Sequence, residues 1–169
     1  YGLLLIDLEN YEEAKNNFVT ATDIDQNYRQ SYYHLAKLLI DPEDYEKAKK
    51  NYLIAIDINE NLAEAHYYLG KLLLGGLQND KDGTLIKRPE YDDAIIHLKK
   101  AISIRKKYAK AHYNLALIYK IQKNYDDSLK HFKKAIKIEN NYSKAHFHLA
   151  MLLKEISKVF GSTGIPDAK

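Results

Sequence analysis

The side chains in this chain that could do chemistry recur in register, histidines first among them. His66, His112 and His146 stand at equivalent places of three successive blocks. Neutral imidazole is a common metal ligand, so the first question is whether the three form a metal ladder. Equivalent helices in neighbouring blocks would lie about 10 Å apart, whereas each nitrogen must sit about 2 Å from a zinc ion. No two histidines stand four apart on one helix. The expected role is therefore a packing residue with a polar tip, and no metal site is assigned. Asn79-Asp80-Lys81-Asp82-Gly83 has the composition of a calcium loop, but counting from Gln78 the twelfth place is Pro89 where an EF-hand needs Glu. Asp82-Gly83 is instead expected to make a tight turn, within a small hairpin. The chain lacks a phosphate-cradling glycine loop, a G-x-S-x-G elbow and any cysteine nucleophile. Neither enzymatic activity nor a cofactor is expected.

The elements that must position these residues repeat every 34. Gly2, Ala36 and Gly70 are 34 apart, Gly70 to Ala116 is 46, and Ala116 to Ala150 is 34 again, so one 12-residue insertion near 75–88 interrupts a fixed period. The same column recurs as Tyr32-Tyr33-His34-Leu35-Ala36, His66-Tyr67-Tyr68-Leu69-Gly70, His112-Tyr113-Asn114-Leu115-Ala116 and His146-Phe147-His148-Leu149-Ala150. A second helix follows each, with a small residue at Ala14, Ala48, Ala94 or Ser128. Phe18, Tyr52, Leu98 or Phe132 comes next, then Ala21, Ala55, Ala101 or Ala135. Spacings of four and three hold these on one helical face. Small residues at fixed places let helices approach to about 8–10 Å, and the intervening large residue fills the opposing hole. Asn10 with Glu13, Asn124 with Asp127, and the prolines Pro42 and Pro89 mark helix starts. The pattern predicts helices over 29–40, 44–58, 63–74, 90–104, 109–121, 125–138 and 143–159.

With 46% apolar and 29% charged residues the chain can bury a core and falls outside the disordered class. No apolar run approaches the roughly 20 residues of a membrane span, so membrane insertion is not expected and a cytoplasmic location is. Charge is lopsided: residues 1–84 carry 8 Lys+Arg against 15 Asp+Glu, and residues 85–169 carry 18 against 8. Position along a stacked array is position along its axis, so one end should be acidic and the other basic, and an acidic partner should prefer the C-terminal half. The lysines of that half lack a nucleic-acid motif, and nucleic acid is not the expected partner.

The small residue after Leu, the Ala-x3-aromatic-x2-Ala run and the period together resemble the tetratricopeptide repeats, over residues 1–158. The resemblance implies an all-α, right-handed α-solenoid of antiparallel helical hairpins. Its parts would be a partial repeat 1–28, repeats 29–62, 63–108 and 109–142, a terminal helix 143–160 and a tail 161–169. The tryptophan often seen early in the family's first helix is Tyr32, His66, His112 and His146 here. The usual proline after the second helix is Gln26, Glu60, Lys106 and Asn140, which leaves those helices room to run on by a residue or two. In the family the first helices line a concave groove that holds partner peptides. Here that face would present Tyr33, Lys37, Tyr67, Tyr68, Lys71, Lys110, Tyr113, Asn114, Leu117, Lys144, Phe147, His148 and Met151, pointing away from the second helices. Some members clamp a peptide C-terminal carboxylate. Asn114 and Lys144 match that clamp, His148 stands in for an Arg, Lys71 for an Asn, and Tyr67 for a Lys.

The expected function is that of a protein-protein interaction scaffold holding an extended or helical, acidic peptide in the groove. A substrate-recruiting or assembly module of a larger enzyme or machine is the alternative. Self-association through the apolar terminal helix, which carries Leu153, Ile156, Val159 and Phe160, is another. If the small residues set helix spacing, Ala55→Leu or Ala101→Leu should overpack the seam and cost about 1–3 kcal/mol in urea denaturation.

Overall fold

A computed structural model describes Leu3, Ile6 and residues 10–39, 44–75 and 90–161. These residues are helical or in turns and contain no strand. The bounded helices are α1 (Tyr11–Ile24), α2 (Arg29–Leu38), α3 (Tyr45–Ile58), α4 (Ala63–Leu74), α5 (Tyr91–Ile104), α6 (Ala109–Ile121), α7 (Tyr125–Ile138) and α8 (Ser143–Phe160). Leu3 and Ile6, ahead of α1, are also helical. The chain divides into two compact units, Tyr1–Ile104 and Arg105–Lys169. In the first, α2 packs on α1 and α3, α3 on α4, and α4 on α5; in the second, α7 packs on α6 and α8. The expected insertion hairpin near 75–88, the prolines Pro42 and Pro89 and the 161–169 tail beyond Gly161 lie outside the described residues.

Helix starts follow the local chemistry. Asn10 Oδ1 accepts from the Glu13 amide at 3.4 Å while Asn10 Nδ2 donates to Glu13 Oε2 at 2.7 Å. Asn124 repeats this with Asp127, at 3.3 Å and 2.9 Å. Each asparagine thereby satisfies one of the orphan amides of the first turn. Helix ends at 58, 104 and 138 fall where the pattern predicts. The second helices stop at Ile24, Ile58, Ile104 and Ile138 and do not run on. The residue after three of them, Asp25, Asn59 and Glu139, turns extended while its amide donates to the alanine carbonyl four residues earlier. Asp25 and Asn59 then accept from the amides of Asn27 and Asn61 at 2.9 Å and 3.1 Å. These side-chain turns end the helix without proline.

Packing in both units depends on the alanine seam. Ala14, Ala48, Ala94, Ala55, Ala101 and Ala135 are all fully buried. In the first unit Ala14 and Ala48 surround Phe18, Leu35 and Leu39, with Ile6, Leu38 and Leu72 against them. In the second, Ala116, Ala135 and Ala145 surround Phe132, Leu152 and Ile156. Ser128 replaces an alanine of the seam, and its buried hydroxyl donates to the Ala116 carbonyl at 2.8 Å. That bond satisfies a polar group which would otherwise cost stability. Ion pairs trim the edges: Glu90 accepts from Tyr45 Oη at 3.0 Å and Lys49 Nζ at 2.7 Å. Glu155 takes Tyr125 Oη at 3.1 Å and lies 3.3 Å from Lys120 Nζ.

The approach of α4 to α5 at Gly70 leaves no room for a side chain. A Cβ added at Gly70 would meet Leu98 Cγ at 2.8 Å and the Ala94 carbonyl oxygen at 3.2 Å. The repeats with Ala36 and Ala116 at this position place Tyr52 and Phe132 opposite; this one pairs Gly with a branched Leu. Gly70→Ala should therefore cost about 1–3 kcal/mol in urea denaturation. Gly75→Ala, where the new Cβ would meet nothing within 4 Å, should be neutral or slightly stabilising.

Candidate functional site

The first helices α2, α4, α6 and α8 carry the residues expected to meet a partner. In the first unit Tyr33 on α2, Tyr52 on α3 and Tyr68 on α4 form a triangle of rings. Tyr33 lies 6.3 Å from Tyr52 and 5.8 Å from Tyr68, and Tyr52 stacks on Tyr68 at 6.3 Å and 9°. In the second unit Tyr113 on α6, Phe132 on α7 and His148 on α8 repeat it. The distances there are 5.9 Å, 5.7 Å and 6.3 Å, with Phe132 and His148 at 7°. Phe18 and His34 stack at 5.3 Å in the same way between α1 and α2. Aromatic pairs at such distances add roughly 0.5–1.5 kcal/mol beyond area burial.

This geometry corrects the direction expected for part of the face. Tyr33 and Tyr113 turn toward the second helix of their own hairpin, because Tyr52 and Phe132 fill the seam and offer them a ring. The four equivalent aromatics do not share one exposure: Tyr67 is 6% exposed, Tyr33 and Tyr113 are half-buried, and Phe147 is 62% exposed. Tyr67 packs its ring 4.9 Å from Tyr68. Asn114, a member of the expected clamp, is also buried. Lys37 lies over two of the triangle's rings, 5.6 Å from the Tyr33 centroid and 5.4 Å from that of Tyr68, in cation-π contact. Lys71, Lys110 and Lys144 are exposed, and Leu117 and His148 are half-buried. Met151 is exposed with Phe147 on α8.

Electrostatics follow burial. Desolvation raises the Tyr113 phenol above its ordinary value. It also holds His148 below the usual imidazole range, helped by Lys120 and Lys144. Both effects favour the neutral ring. On the terminal helix Ile156 is buried in the core, while Leu153 and Val159 face outward.

Histidine chemistry is where sequence reasoning missed partners. His66 and His112 are buried, and each meets a histidine of the second helix, His97 and His131 respectively. His146 is exposed, and its Nε2 lies 2.9 Å from the Asn140 carbonyl oxygen. The signal was present, since His97 and His131 also stand at equivalent places, three residues after Ala94 and Ser128. Among the described residues no group of three or more metal-ligating side chains gathers.

Comparison with known proteins settles the class. Models of the tetratricopeptide repeat match residues 1–28, 30–62 and 109–142, and a further TPR repeat model matches 84–122. The chain belongs to the tetratricopeptide repeat (TPR) family. No curated protein matches it. Among solved structures it is similar to the crystal structure of MamA, with 21% identity over 92% of this chain and 84% of that one, at a TM-score of 0.75. It is similar to MamA 41-end from Desulfovibrio magneticus RS-1, with 20% identity over 94% and 84%, at 0.76. PilF of Pseudomonas aeruginosa gives 19% identity over 94% and 67%, at 0.77. At these identities the likeness shows the fold. As a TPR array the chain is a helical solenoid repeat protein and a protein-interaction scaffold. No helix among the described residues is long and apolar enough to cross a membrane.

The ring triangles separate support from contact. Phe132→Ala should cost about 3–5 kcal/mol of stability, whereas Phe147→Ala, at an exposed first-helix position, should stay within about 0.5 kcal/mol. Urea denaturation of the two variants checks this.

Proposed function

We propose that this TPR array recruits an extended, acidic segment of a protein partner against its first helices, in the groove such helices line, with the α6 and α8 face of the second unit as the principal contact. The observation that carries the reading is the exposure of Phe147 and Met151, 62% and 43%, on the stripe of α8 that also holds exposed Lys144. The spacing 144, 147, 148, 151 keeps one helical face. An exposed aromatic beside a thioether and an ammonium suits a segment alternating apolar and acidic side chains, because the ring offers area at low entropic cost. Tyr113, Leu117 and Asn114 hold the face from behind, and Lys110 adds charge on α6.

In the first unit Tyr33, Lys37, Tyr68 and Lys71, backed by buried Tyr67, form the corresponding surface. Lys37 is already engaged by two rings there, and the N-terminal half is acidic. Charge complementarity therefore favours the second unit for an acidic segment. A terminal carboxylate would find Lys144 and His148 as its partners, and charge-assisted bonds of that kind contribute about 1.5–3 kcal/mol each.

Fluorescence anisotropy with a labelled acidic peptide bearing one apolar residue and a free C-terminus tests the reading. Lys144→Glu combined with Phe147→Ala should weaken binding by about tenfold or more, and Lys133→Glu on the exposed side of α7 should change it little. Amidating the peptide C-terminus isolates the carboxylate contribution. Equal affinity of the wild type and the double variant would remove the reading.

A further inference from the structure

The proposed binding surface does not use the paired histidines, of which each unit holds one set. In the first, His66 on α4 and His97 on α5 approach with their Nδ1 atoms 3.0 Å apart and ring centroids 5.3 Å apart. In the second, His112 on α6 and His131 on α7 approach to 2.9 Å with centroids 5.1 Å apart. The opposite nitrogen settles the proton inventory. His66 Nε2 lies 3.1 Å from the Glu60 carbonyl oxygen. A carbonyl only accepts, so Nε2 carries the proton, and Nδ1 of the neutral ring is then a bare acceptor. His97 must supply the bridging Nδ1–H. The Lys106 backbone carbonyl holds His112 in the same way, so His131 is the donor of the second pair. Each pair of Nδ1 atoms has room for one proton. A first added proton, on the other nitrogen of His97 or His131, leaves the bridge intact but charges a half-buried ring; protonation of both rings sets two N–H groups and two cations against each other at contact distance.

We propose that these two histidine pairs are proton-sensitive latches that close the helical hairpins 63–104 and 109–138 at neutral pH and release them on acidification. The groups facing each pair offset added charge only in part. His66 meets Lys100 of α5 and Glu60 of the preceding turn, and His97 meets Asp93 on its own helix and Lys49 of α3. Lys49 is already paired with Glu90 at 2.7 Å. Lys134 faces both His112 and His131, and His131 also has Lys130, Asp127 and the Tyr119 ring at 5.6 Å. All four imidazoles are held below their ordinary value, chiefly by desolvation, with His131 lowered to about 4.

The sign follows from linkage. An unfolded chain titrates its histidines near 6.5, so below that pH it binds more protons than the folded chain. The latch contribution is complete above about 6.5 and is lost as pH falls through the lowered folded-state values, which for His131 means toward about 4. Asp44, whose carboxyl a Lys47 hydrogen bond holds below the usual range, titrates beneath this window.

The chain contains its own control, because repeat 29–58 places Tyr32 and Asn51 where the later repeats have the two histidines. Transplanting that pair, as His66→Tyr with His97→Asn and His112→Tyr with His131→Asn, removes the titrating groups from each hairpin. Thermal unfolding followed by circular dichroism at pH 7.5 and pH 5.0 reads the outcome. The wild-type Tm should fall by about 5 °C or more beyond the fall of the fourfold variant, and each twofold variant should lie between them. Equal pH dependence in wild type and variants overturns the proposal. Should the variants fail to fold, nitrogen-15 imidazole spectra of the unmodified chain decide. Nδ1–H tautomers at His97 and His131 with Nε2–H at His66 and His112 support the latch; the Nε2–H tautomer at all four overturns it.

Discussion

The close approach of helices across a seam of alanines is the constraint on which the rest depends. Ala14, Ala48, Ala94, Ala55, Ala101 and Ala135 expose no surface, and nothing larger would leave the backbones near enough for ridges to enter grooves. Once the seam fixes the spacing, the large residue between two alanines of each second helix has one place to go. In α3 and α7 it fills the hollow formed with the first helices on either side. Where it is Tyr52 or Phe132 the hollow is closed by rings; where it is Leu98 the first helix yields down to Gly70.

That fit decides which side chains remain for a partner. Tyr33 and Tyr113 are drawn into contact with the second helix and with the ring of the next first helix, so they serve as rigid supports. On α8, Phe147 at the same repeat position is left outside, with Lys144 and Met151 one turn to either side of it. A surface assembled this way owes its shape to the core beneath it, because the ring that anchors the support also sets the angle of the helix that carries the contact.

Buried polar contacts add specificity to an otherwise apolar seam. Ser128 reaches the Ala116 carbonyl, and the histidine pairs bond across α4 and α5 and across α6 and α7. A helix shifted by a residue along its neighbour would leave these groups unsatisfied, and an unpaired buried polar group costs about 1–3 kcal/mol. The repeat with Tyr32 and Asn51 lacks this arrangement, so hairpins of the same backbone pattern differ in their response to protons.

The sequence by itself determined the period, the helices, their asparagine caps, the small-residue seam and the TPR class. Each is a local pattern read along one helix, and alanine at a fixed spacing has the same consequence in every copy. It also marked the first-helix residues as a set. Only the tertiary structure decided their separate fates, because Tyr67 and Phe147 are equivalent in the repeat yet one is buried and the other exposed. It alone joined His66 to His97 and His112 to His131, residues 31 and 19 apart in the chain. Whether two imidazoles meet depends on the angle and spacing at which their helices cross, and those are set by packing against third elements that no local pattern records.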